Sequence, residues 1–163
     1  MPGSIKHAEE LFPYRSLREI FAGQRPVVHA VAPDDTVERA MRLMAEHNIG
    51  LVVVLDKERL VGVLSERDLL RRTGVTEGGA AFRELQVSAL MTRDVATVTP
   101  DERIVRCMAL MDERGARHLP VVDGGRVVAV LSVRDLLREA VAHHRRVLAE
   151  FERERLAAYQ SLC

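Results

Sequence analysis

The chain has 163 residues, 24 Lys plus Arg against 24 Asp plus Glu, and a composition that is 47% hydrophobic but only 4% aromatic. A net charge of zero leaves no global field to hold nucleic acid or an anionic membrane, and no apolar run approaches the ~20 residues needed to span a bilayer. Two cysteines make no disulfide framework, and such usage fits a reducing, cytoplasmic setting.

Residues 1–15 are expected to form a flexible tail, without the apolar core of a secretory signal. Ser16 to Gly23 has the pattern of a short helix stopped by glycine and followed by Pro26. Val27 to Ala32 reads as extended. Next, Val37, Ala40, Met41 and Met44 follow the i, i+3, i+4, i+7 spacing of one buried helical face, with Asp35 and Glu38 as its expected cap. Leu51-Val52-Val53-Val54-Leu55 is a continuous apolar run, hence a strand buried on both sides. A short polar turn leads to a second strand, Leu60–Leu64, and a helix from about Ser65 to Arg72. Thr73 to Gln86, with three glycines, is expected to be loop. Val87 to Met91 is a short helical turn.

The same order then returns. Residues 29–72 align with residues 96–139 without gaps, Pro33 standing against Pro100, and about twenty of some 44 positions are identical. Ile104, Cys107, Met108 and Met111 replace the first helical face, which makes Cys107 a small buried thiol. Leu119–Val122 and Val127–Leu131 replace the two strands, joined through Asp123-Gly124-Gly125, whose glycines accept positive φ. Pro120 cannot donate to a ladder, which predicts an edge strand. From Arg138 to about Tyr159 there is neither Gly nor Pro, and Val141, Leu148, Phe151, Leu156 and Tyr159 form an apolar stripe on a long charged helix. Cys163 is terminal. A repeat of this length is one supersecondary unit that cannot bury its apolar face alone, so two copies predict a pseudo-symmetric pair in one α/β body.

Two polar patterns survive duplication. Ser65-x-x-Asp68 and Ser132-x-x-Asp135 each close a strand and open a helix, with Arg67 and Arg134 between them. This is the spacing of a capping box, a purely structural device. The same geometry suits a ligand, because free N–H groups at a helix N-terminus favour phosphate and a carboxylate one turn in can take both hydroxyls of a ribose. Arg117 and His118 stand at the mouth of a buried strand, where core chemistry does not require them; a bidentate arginine beside a switchable histidine makes a phosphate clamp. Their counterparts are Gly50 and Leu51. His143 and His144, on the charged helix, are expected to be solvated. His7, His29 and His47 have no partner at metal-ligand spacing. There is no phosphate-binding P-loop, nucleophile elbow or Cys/His dyad.

These residues resemble the tandem cystathionine-β-synthase (CBS) domain pair, or Bateman module. The resemblance is carried by Ala32-Pro33-Asp34-Asp35-Thr36 through Leu64-Ser65-Glu66-Arg67-Asp68, by Thr99-Pro100-Asp101-Glu102 through Leu131-Ser132-Val133-Arg134-Asp135, and by Leu90-Met91-Thr92 and Arg117–Asp123. It implies a first CBS motif at 16–73, a linker at 74–90, a second motif at 91–139 and a helical extension at 140–163. It further implies a cleft on either side of a pseudo-two-fold axis that binds an adenosyl ligand: AMP first, with ATP, ADP, NAD(H) or S-adenosylmethionine as alternatives, and no required cofactor. By that pattern Ser65 and Asp68 share a ligand with Ala116, Arg117 and His118, while Ser132 and Asp135 share one with Ile49 and Gly50. Because Gly50 and Leu51 stand where Arg117 and His118 do, a phosphorylated ligand is expected at the Asp68 cleft. The Asp135 cleft is left open between empty, a nucleoside, and half of a dinucleotide. The implied protein is a non-enzymatic regulatory homodimer that signals to an effector protein; a constitutive dimerisation scaffold with vestigial clefts is the alternative.

Overall fold

The computed structural model describes residues 14–24, 26–73 and 79–160; the expected tail up to residue 13, Gly74 to Gly78 and Cys163 lie outside them. The first copy contains β1 (Ala30–Val31), α2 (Val37–His47), β2 (Leu51–Asp56), β3 (Arg59–Ser65) and α3 (Glu66–Thr73), preceded by α1 (Leu17–Ile20). Two short helices follow, α4 (Ala80–Arg83) and α5 (Val87–Leu90), so the stretch expected to be loop is partly helical. The second copy contains α6 (Ile104–Arg114), β4 (His118–Asp123), β5 (Arg126–Ser132) and α7 (Val133–Gln160).

Local chemistry explains where each helix starts and stops. Thr36, not Asp35, caps α2: its hydroxyl accepts the Arg39 N–H at 3.2 Å. Asp35 lies one residue too early to reach that amide and instead accepts the Ala32 N–H at 2.7 Å. Glu38, the other half of the expected cap, pairs with Arg42 at 2.9 Å. Both α2 and α6 end on a left-handed residue, Asn48 (φ 51°) and Gly115 (φ 58°), as helices commonly do. The buried stripe is Val37, Ala40 and Met44 in α2 and Ile104, Cys107 and Met111 in α6. Met41 and Met108, expected inside, are exposed, because each helix lies on its sheet along a narrower face than the full i, i+4 stripe. Burial pushes the Cys107 thiol up to about 11, leaving it protonated and inert.

The strands divide their side chains between two cores. Val52, Val54 and Leu64 face their own helices, whereas Leu51, Val53 and Val63 meet Val127 and Val130 of the other copy. This is the alternation of a sheet covered on both faces, and it joins the copies. β1 runs parallel to β2, and β2 antiparallel to β3. β4 pairs antiparallel with β5 and is flanked on its other side by Val98, so it is not the edge strand that Pro120 predicts. In the first copy Val53 donates its N–H to the His29 carbonyl at 3.1 Å. Pro120 occupies the equivalent position and cannot, so the flanking strand shrinks to one bridge, with the Pro120 carbonyl accepting from Val98 at 3.1 Å.

Each copy is closed by the segment leading to the other. Leu17 of α1 is buried in the core of the second copy, while Val87, Leu90 and Met91 complete the core of the first. The bridges Ser16–Arg103 and Thr36–Gln86 repeat this exchange in the backbone. The linker also explains one asymmetry between copies. Gly62 lies under Met91 and Thr92, where an added Cβ would come within 2.8 Å of the methionine sulfur and 2.9 Å of the Thr92 carbonyl. The second copy carries Ala129 there. Gly62→Ala should therefore cost about 1–3 kcal/mol of stability, read as a lowered urea midpoint with unchanged m-value.

The base of α7 is anchored and its end is not. Glu139 is buried and accepts from Arg146 at 2.6 Å, with Arg15 at 3.8 Å. His143, expected to be solvated, is buried with its ring stacked 4.0 Å from that of Tyr14. Burial holds it below the usual imidazole range, so it packs as a neutral ring. Tyr14 and Arg15 thus belong to the folded body. Beyond His143 no described residue is buried. No helix among the described residues is long and apolar enough to cross a membrane.

Candidate ligand clefts

Each Ser-x-x-Asp pattern forms a capping box. Asp68 accepts from the Ser65 N–H and hydroxyl at 3.0 and 2.6 Å through a single oxygen, Oδ2, and the Ser65 hydroxyl accepts the Asp68 N–H at 3.2 Å. Asp135 repeats this on Ser132, at 2.9, 2.5 and 3.3 Å. The structural role is met by one carboxylate oxygen, and the copies differ in the other. Oδ1 of Asp135 accepts from Arg138 at 3.2 Å. Oδ1 of Asp68 has no hydrogen-bond partner among the described residues, and the carboxylate is held rigid with one acceptor atom to spare.

Two clefts flank the junction between the copies. One, of about 630 Å³, brings Ser65, Arg67 and Asp68 together with Ala116, Arg117 and His118. The other, of about 500 Å³, brings Ile49 and Gly50 together with Ser132, Arg134 and Asp135. Each motif thus lines a cleft together with the strand mouth of the other copy, the arrangement that the resemblance implies. Arg67 contributes a cross-copy bond, its guanidinium donating to the Gly115 carbonyl at 3.2 Å. That bond carries no charge neutralisation, so the side chain stays cationic at the cleft.

One expectation changes. Arg117 and His118 do not belong to the Asp68 cleft alone; both line both clefts, as do Gly50, Leu51 and Glu66. The reason is geometric. Gly50 and Arg117 are equivalent positions at the strand mouths that meet on the pseudo-two-fold axis, and Gly50 has no side chain to fill the space. A Cβ on Gly50 would lie 3.3 Å from the Glu66 carboxylate and 3.5 Å from the His118 ring. Burial lowers the His118 pKa, against the opposing pull of Asp135 and Glu66, so the ring is held below its usual range. Arg117 is exposed and forms no ion pair among the described residues. The sequence could not have revealed Glu66 as a wall residue, because its counterpart is Val133 and duplication gave no signal. His29 and His47 lie with ring centroids 4.0 Å apart, and among the described residues no group of three or more His, Cys, Asp or Glu could hold a metal ion.

Fold and clefts together define a tandem-repeat α/β module with one concave site on each side of the repeat axis. The family model for the CBS domain matches twice, over residues 17–74 and 87–142, and the chain belongs to the CBS-domain family. A CBS domain-containing mitochondrial protein of Arabidopsis thaliana, CBSX3, is 35% identical over 131 residues; the match covers 77% of this chain and 60% of that protein's length. A putative signal-transduction protein with CBS domains from Burkholderia ambifaria superposes with a TM-score of 0.72 at 33% identity, covering 78% of this chain and 95% of that one. The structure of CBSX2 in complex with AMP superposes at 0.64 with 26% identity, covering 78% and 96%.

Proposed function

We propose that the chain is a non-enzymatic regulatory module that binds an adenine nucleotide between its two CBS motifs and passes the occupancy to a partner protein or to its own dimer interface. The observation that carries this is Asp68: a rigid, partly buried carboxylate at a helix N-terminus whose Oδ1 has no partner among the described residues, in one cleft with Arg117 of the other copy, which forms no ion pair among them. A ribose needs an acceptor for its hydroxyls and a 5′-phosphate needs a cation, and the cleft offers both. AMP is the nucleotide the cleft suits first, and the AMP complex of CBSX2 supports that choice. ATP and NAD(H) are the other ligands of the same class.

The phosphate half of this reading has its own test. Arg117→Ala should weaken AMP binding by about 1.5–3 kcal/mol and leave adenosine nearly unchanged, because only AMP offers a dianion to clamp. Calorimetric titration of both ligands decides it; equal losses for the two would make Arg117 merely structural.

The scaffold reading is favoured by one observation, the exposed stripe of Leu137, Val141, Leu148, Phe151 and Tyr159 on α7. The stripe is exposed among the described residues, and a second copy packed through a two-fold contact is the simplest way to bury it. Homodimerisation is compatible with nucleotide binding, and the two readings part only at Asp68, whose loss a scaffold would not register.

A further inference from the structure

The wall between the two clefts contains one arginine–histidine pair, and so one permanent cation, Arg117, where a symmetric repeat would contain two. Arg117 and His118 face both clefts, and the equivalent positions, Gly50 and Leu51, carry no charge. We propose, resting on the nucleotide reading above, that the clefts compete for this shared wall: once one holds a phosphorylated nucleotide, the other accepts an adenosyl ligand without phosphate in preference to a second nucleotide.

Charge counting supports the competition. Apart from the wall, the Asp68 cleft is lined by Arg67, Arg71 and Arg114 against Asp68 and Asp94, and Arg114 is already paired with Asp94 at 3.3 Å. The Asp135 cleft has Arg134 and Arg138 against Asp135, with Arg138 held by that carboxylate at 3.2 Å. Each cleft therefore keeps a surplus of one positive charge. A monophosphate carries nearly two negative charges at neutral pH, so the surplus of neither cleft neutralises it, and the one further cation within reach among the described residues is Arg117, which shares the wall with the opposing charge of Glu66. A guanidinium engaged bidentately by one phosphate is turned toward that cleft, and its single positive charge is already spent on the first dianion. Glu66, on the same wall, then faces the remaining cleft as an uncompensated carboxylate and opposes a second anion. A neutral nucleoside meets none of these costs. Asp68, with its spare oxygen, gives the nucleotide its better ribose anchor and directs it to the Asp68 cleft.

The test is calorimetry on the full chain with AMP, with adenosine, and with AMP after adenosine saturation, each repeated for Arg117→Gln. Adenosine reports the intrinsic difference between the clefts. The separation between the two AMP affinities should exceed the adenosine separation by about tenfold or more, and the excess should vanish in Arg117→Gln. Mixed filling, one AMP and one adenosine per chain, should be tighter than two AMP. Equal separations for AMP and adenosine, or an AMP separation untouched by Arg117→Gln, would overturn the sharing while leaving nucleotide binding intact. Absence of any AMP binding would overturn the nucleotide reading itself, and the sharing with it.

Discussion

Replacing Asp68 with alanine should weaken adenine-nucleotide binding by about 1.5–3 kcal/mol, roughly 12- to 150-fold, the usual range for hydrogen bonds to a charged group. The loss is confined to the acceptor that faces the cleft. Capping survives in part, because the Ser65 hydroxyl still accepts the N–H at residue 68, so stability should fall by only about 1 kcal/mol. Asp135→Ala makes the contrast. Its Oδ1 is already engaged by Arg138, so a ribose would have to displace that bond, and the affinity lost should be several-fold smaller. Parallel calorimetry and urea unfolding of the two variants separate binding from capping. An Asp68→Ala chain that binds AMP as tightly as the parent would leave Asp68 with a capping role alone.

Removing the end of α7 should shift the protein from dimer to monomer without harming the clefts. The helix has 28 residues, roughly 42 Å at 1.5 Å per residue, and its last buried side chain is His143. Leu148, Phe151, Leu156 and Tyr159 are more than half exposed, at 56, 53, 59 and 68%. Covering such side chains contributes about 1.5–3 kcal/mol each when burial is complete. Their loss should therefore weaken association by at least about a hundredfold. The position of the cut matters. Ending the chain after Ala140 would also remove His143 and Arg146, taking the ring that covers Tyr14 and leaving Glu139 buried without its close partner. A cut after Val147 spares both. Sedimentation equilibrium should find the parent dimeric and this shorter chain largely monomeric, with AMP binding unchanged. A parent chain that sediments as a monomer at high micromolar concentration would contradict the interface.

The duplication made the architecture readable. Two copies of the same apolar spacing, each ending in Ser-x-x-Asp, mark the principal helices and strands, while the grouping of residues into clefts follows from the family resemblance. Errors arose where a contact comes from far along the chain. His143 looks solvated on a charged helix because its partner, Tyr14, is more than a hundred residues away. Pro120 suggested an edge because ladder logic considers one strand; the strand has neighbours on both sides, and the cost of the missing donor falls on a shortened flanking strand. Asp35 and Thr36 are both good capping residues, and a one-residue difference in reach chose between them. Met41 and Met108 fit the helical period yet sit at the rim, because periodicity does not measure how wide a face the sheet covers. The clefts show the same limit. The family resemblance pairs each motif with its opposite strand, but only the meeting of Gly50 with Arg117 and His118 on the axis lets one arginine line two sites.

Titration of the purified full-length chain by calorimetry against AMP, ATP, NADH and S-adenosylmethionine tests the central claim most directly. Saturable binding of at least one phosphorylated adenine nucleotide, with AMP the first expected, and its strong weakening in Asp68→Ala is the predicted result. A correctly folded chain that gives no binding signal with any of the three nucleotides would contradict the sensor and leave the scaffold.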